Sequence, residues 1–172
     1  MIILGLDLST KASGYSVFED DKLIDYGCIN AGSANLFNRI DKMVVEIEKL
    51  FGKYEFNHVY IESVYPEDVH NNQNVFDALK YLQGFILHLL NKYNLPHTFY
   101  AASEWRAKCG IQTGRGIKRD ILKERDIQFV RDQFGLDVND DIADAICIGF
   151  AASGSTPSRP QVIKTDDGFE FG

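Results

Sequence analysis

Four carboxylates stand where burial ought to exclude them: Asp7 inside the apolar run IILGLDLS, Glu62 at the end of HVYIES, and Asp141 with Asp144 in NDDIADAICIGFA. A carboxylate on an apolar strand is costly to desolvate unless a cation or ion pair compensates it. Asp141 and Asp144 are three apart, a spacing that on a helix puts both on one face, about 5 to 6 Å apart at Cβ. Their neighbours Ile142, Ala143, Ala145, Ile146, Ile148 and Phe150 turn that face toward a core. Like charges held against a dry wall repel, and a divalent cation is the simplest relief. Two such ions about 3.5 to 4 Å apart can activate a water and stabilise the leaving oxygen of a phosphodiester. A turn cap or a solvated first helical turn explains any one of these acids alone; the set of four points to metal.

The other residues narrow the metal. His58, His70, His88 and His97 are scattered with no HExxH spacing, and Cys28, Cys109 and Cys147 are odd in number and far apart. Neither a zinc site nor a disulfide framework is indicated, which leaves oxygen ligands and favours magnesium, with manganese as a substitute. The net charge of -7 argues superficially against a nucleic-acid partner. Between positions 104 and 131, however, Arg106, Lys108, Arg115, Lys118, Arg119, Lys123, Arg125 and Arg131 face only Glu104, Asp120, Glu124 and Asp126. A basic segment thus precedes the last acidic pair, as a DNA-binding surface beside a metal site requires.

These residues must be positioned by a mixed set of elements. Residues 2–8, 15–19 and 23–29 read as an N-terminal meander of three strands, with Gly5 leaving room for something to approach the backbone beside Asp7. A helix follows over residues 36–51, then a strand over residues 57–61 that delivers Glu62. The helix over residues 74–91 has an apolar stripe, from Phe76 through Tyr81 and Phe85 to Leu90, wider than one core face needs; it offers a dimer interface. A strand over residues 96–101, a helix over residues 103–109, the loop GIQTGRGI and a basic helix over residues 117–134 come next. Asn139 is the expected N-cap of the last helix. Residues 1–152 read as one domain and residues 153–172 as a flexible tail. No apolar run approaches the roughly 20 residues of a membrane span, and no basic stretch precedes MIILGL, so a cytoplasmic location is expected.

The segments LGLDLSTKASGYSVF, YIESVY, ALKYLQG and DDIADAICIGFAA resemble, in order and separation, the blocks of the RuvC-type Holliday-junction resolvases. The resemblance spans residues 1–152. It implies an α/β, RNase H-like fold: a mixed five-stranded sheet, antiparallel in its N-terminal meander and otherwise parallel, flanked by helices. It also implies two Mg2+ or Mn2+ ions per active site and a homodimer that nicks a four-way DNA junction in recombination and repair. Matched residue by residue, Asp7, Glu62, Asp141 and Asp144 fall on the family's metal-binding catalytic acids. Tyr65 falls where the family stacks an aromatic on DNA, a contact worth about 1 to 3 kcal/mol per base. Arg115, Lys118 and Arg119, with Arg106 nearby, fall on its basic DNA-contacting stretch. Lys11, in the first hairpin turn, is a further candidate for a phosphate beside the metals.

This chain departs from the family pattern in having Leu8-Ser9 in place of Pro-Gly after the first aspartate, and only Gln83-Gly84 of a GQARG-like segment. It looks like a divergent member of the kind encoded by phages. Two rivals remain at this stage. One is a protein of the same fold that binds junctions without cutting them. The other is an actin-like or sugar-kinase phosphotransferase, for which 172 residues are too few.

Overall fold

The computed structural model describes residues 1–69 and 72–157. Strands β1 (Ile2–Asp7), β2 (Ala12–Glu19) and β3 (Lys22–Asn30) precede helix α1 (Leu36–Lys53) and strand β4 (His58–Glu62). A short 3-10 turn, Pro66–Val69, leads to α2 (Gln73–Lys92), then β5 (His97–Tyr100), α3 (Ala102–Cys109), α4 (Arg119–Phe134) and α5 (Asp140–Ser153). The sheet order is β3-β2-β1-β4-β5. β1, β2 and β3 pair antiparallel, whereas β1 with β4 and β4 with β5 pair parallel. This is the mixed sheet expected from the sequence.

Alternation along the strands builds two cores. Leu4, Leu6, Val59 and Ile61 pack with Ile40, Met43 and Ile47 of α1 and Leu82, Ile86 and Leu90 of α2. On the other side Ile3 and Phe18 pack with Trp105 of α3, Val130 of α4 and Ile146 of α5. Asp7 shares the Ile3 face, four residues further on, and so points to the side that carries α5.

Helix starts follow local chemistry. Asn139 Oδ1 accepts from Ile142 N at 3.0 Å, so the expected cap of α5 is present, and Asn35 and Asn72 cap α1 and α2 in the same way. Helix α5 runs one residue past the expected boundary at 152, to Ser153, and is capped by Gly154 at φ 75°. The expected tail beyond residue 157, and His70, lie outside the described residues.

Candidate active site

The register of the sheet brings the first two acids together. Leu6 pairs with Ile61 across parallel strands, so Asp7 and Glu62 leave the same end of neighbouring strands. Helix α5 adds the other two by lying almost on the backbone of β1 and β2. A Cβ on Gly14 would fall 1.9 Å from the backbone oxygen of Asp141, and one on Gly5 2.8 Å from that of Ala145. Ser16 Oγ donates to the same Ala145 oxygen at 2.6 Å inside the core. What approaches Gly5 is therefore the α5 backbone, and the small residues serve to hold Asp141 and Asp144 over Asp7.

The electrostatics are those of crowded carboxylates. Burial, then the charges of Glu62 and Asp141, push the Asp7 carboxyl well above the usual range. Burial, then Asp7, Asp126 and Glu62, do the same to Asp144. Asp141 is raised by burial and by Asp140. Asp144 is 5 % exposed, and its Oδ1 is buried without a hydrogen-bond partner. Glu62 Oε2 accepts from Trp105 Nε1 at 2.9 Å. Among the described residues no three His, Cys, Asp or Glu side chains form a ready-made ligand cluster. An all-oxygen donor set with an orphaned buried carboxylate oxygen suits a hard divalent cation.

Two cavities meet at these acids. One of about 240 Å³ is bordered by Glu62, Asp144, Arg106, Arg119 and Lys123. The other, about 560 Å³, is bordered by Asp7, Glu62, Asp141, Arg119 and Lys123, with Leu8, Val64, Val69, Val75 and Leu79 as an apolar wall. Arg119 and Lys123, one turn apart on α4, border both. Lys123 also pairs with Asp140. Burial works against its charge, but that bond together with Asp144 outweighs burial and raises its pKa; the same bond lowers that of Asp140. Lys123 was counted in the basic segment without being nominated for the site. Its spacing of four from Arg119 on one helix was the available signal.

The DNA-contact candidates separate. Arg106 is more buried than a solvent-facing DNA contact: it is 9 % exposed, and its guanidinium pairs with the fully buried Asp126 through Nε to Oδ1 at 3.0 Å and Nη2 to Oδ2 at 2.7 Å. Arg115 and Lys118 are exposed on the loop and at the N-cap of α4, continuous with Arg119. Lys11 is exposed in the β1–β2 turn and does not border either cavity. Tyr65 is 51 % exposed just before the 3-10 turn. Trp105 is wholly buried, as a core anchor should be. The stripe on α2 splits: Leu82, Ile86 and Leu90 are buried, while Val75, Tyr81 and Phe85 are exposed.

The five-stranded sheet with its flanking helices is an RNase H-like fold, with Asp7 and Glu62 at strand ends and Asp141 and Asp144 at the start of α5. The sequence profile described as crossover junction endodeoxyribonuclease RuvC matches residues 3–151, and the chain belongs to that family. Similar solved structures include that of Thermus thermophilus RuvC in complex with a Holliday junction substrate, at TM-score 0.72 and 13% identity, covering 90% of this chain and 94% of that one. A second Thermus thermophilus RuvC structure matches at TM-score 0.70 and 14% identity, with the same coverage, 90% and 94%. The yeast mitochondrial Holliday junction resolvase Ydc2 matches at TM-score 0.53 and 17% identity, over 88% of this chain and 77% of that one. No curated protein matches in sequence.

Proposed function

We propose that the protein is a magnesium-dependent endonuclease that nicks four-way DNA junctions by two-metal phosphodiester hydrolysis. The observation that carries this reading is the convergence of Asp7, Glu62, Asp141 and Asp144 on two cavities that Arg119 and Lys123 also border. Family membership supplies the class of reaction, and the Thermus thermophilus relative was solved with a Holliday junction. Asp7, Glu62, Asp141 and Asp144 would hold two Mg2+ or Mn2+ ions. When bound, such ions supply a hydroxide-like nucleophile and neutralise charge on the leaving oxygen.

The chain's own residues do the rest. Asp7, at the end of β1 beside Glu62 and Asp141, would be the central acid of the set, and Glu62, held by Trp105, would help to orient the attacking water. Arg119 and Lys123 hold the phosphodiester against acids that would otherwise repel it. Arg115, Lys118 and exposed Tyr65 extend the contact to flanking DNA. Exposed Tyr81 and Phe85 on α2 offer the face for a homodimer, which would set two active sites on symmetric strands; a monomeric mass at micromolar concentration would refute that pairing.

The test is a labelled junction incubated with magnesium, manganese, calcium or chelator, beside linear DNA. Nicking with magnesium or manganese, lost in Asp7→Asn while binding persists, is expected. Full cleavage by Asp7→Asn would sink the mechanism, and binding without nicking under every metal would leave a junction-binding protein.

A further inference from the structure

Two consecutive residues of α3 reach toward two different acids. Trp105 is fully buried and its Nε1 donates to Glu62 Oε2 at 2.9 Å. Arg106, whose guanidinium carbon lies 4.3 Å from the Trp105 ring centroid, grips both oxygens of Asp126. Asp126 is wholly buried on α4, which packs against the α5 helix that carries Asp144, and its charge helps to raise the Asp144 carboxyl. Behind the site there is thus a dry layer holding one indole N–H, one guanidinium and one carboxylate.

A buried ion pair is weak evidence for stability, since an apolar pair of similar volume is often as good. This one stands where it bears on catalysis. Asp126 is a fifth carboxylate within reach of the site, and its charge acts directly on Asp144. Bidentate capture turns both Asp126 oxygens toward Arg106, while the charge of Arg106 is felt by Asp144 and Glu62. Groups that orient metal-ligating carboxylates from behind set metal affinity.

We infer that Trp105 and Arg106 are positioning residues for the acid site: Trp105 fixes Glu62 by its indole bond, and Arg106 holds Asp126 back so that Asp144 faces the cavity. This rests on the reading of Glu62 and Asp144 as metal ligands. Their contribution is to metal affinity.

The experiment measures Mn2+ uptake by the full chain, from the electron paramagnetic resonance signal of the free ion. It compares wild type, Trp105→Phe, which keeps a buried ring but no donor, and Arg106→Lys, which keeps a positive charge but not the two-pronged grip on Asp126. Affinity is expected to fall about 10- to 100-fold in each, with cooperative urea unfolding retained. Because Trp105 is the sole tryptophan, wild-type fluorescence gives a readout that needs no variant: Mn2+ should quench it with the same midpoint as uptake. Wild-type protein that takes up no Mn2+ overturns the metal-site reading and this inference with it. Wild-type uptake with no quenching, or with undiminished affinity in a variant, overturns the inference for the residue concerned and leaves the metal site standing.

Discussion

Gly14 and Asp141 are in backbone contact: a Cβ on the glycine would lie 1.9 Å from the aspartate's carbonyl oxygen, and 3.2 Å from Ala145 Cβ. The obstacle is main chain, which cannot rotate away, so Gly14→Ala must lift the first turn of α5 from the sheet. Overpacking of this kind costs about 1 to 3 kcal/mol, and the lift moves two of the four acids. Urea unfolding and junction nicking should therefore both fall in Gly14→Ala. Gly52, on α1 with nothing within 4 Å of a built Cβ, is the control. Gly52→Ala should be neutral or stabilising by up to about 1 kcal/mol, with nicking intact.

The crowding of acids has a sign in pH. Folding raises the carboxyl pKa of Asp7 and Asp144, by burial first and by repulsion second, chiefly from Glu62 on Asp7 and from Asp7 on Asp144. The folded chain therefore binds these protons more tightly than the unfolded one. Their contribution is intact below the unfolded value, near 3.9, and is lost as pH rises through the folded values. Metal-free protein should melt at lower temperature at pH 7 than at pH 5 on their account, and magnesium should return the difference. Asp7→Asn should raise the metal-free melting temperature at pH 7, at about 2 to 4 °C per kcal/mol for a chain of this size, while abolishing nicking. Calorimetry in chelator decides it, and an unchanged or lower melting temperature for Asp7→Asn at pH 7 would refute the repulsion.

Asp7, Glu62, Asp141 and Asp144 were legible because each breaks a local rule, a charge on an apolar strand or helix face. The sheet was legible from alternation and from the helices between β3, β4 and β5. What stayed hidden depended on pairs distant in sequence. Trp105 and Glu62 are 43 positions apart, and no periodicity links them. Arg106 read as a DNA contact because Asp126, 20 positions on, counted only as a balancing charge in a basic segment. The turn Pro66–Val69 is four residues long, too short to show a period.

That pairing predicts opposite phenotypes for two arginines. Arg106→Ala leaves the Asp126 carboxylate buried and uncompensated, a loss of about 3 to 5 kcal/mol when one partner of a buried pair is removed. Arg115 is exposed at a glycine-flanked loop. Arg115→Ala should leave stability within about 0.5 kcal/mol but weaken junction binding and flatten its salt dependence by about one phosphate contact. Chemical unfolding and binding titrations at several salt concentrations separate the two. Arg106→Ala with full stability and weakened binding would restore it to the DNA surface.

On the proposed reading, Lys123 is the charge that would let a phosphate enter an acidic cleft. It borders both cavities, pairs with Asp140 and, with Arg119, lowers the electrostatic load on Asp7. Lys123→Met keeps the aliphatic stem and deletes the ammonium group. Three consequences are expected together. The Asp140 carboxyl, now held low by that bond, moves back toward the ordinary range. The Asp7 carboxyl moves further up, so the pH at which metal-supported nicking sets in rises. The nicking rate at saturating junction falls about 100-fold or more, as when a preorganised donor to a reacting oxygen is removed. Single-turnover rates across pH, with junction affinity measured in calcium, check all three. Unaltered rates in Lys123→Met would reduce the residue to a structural partner of Asp140.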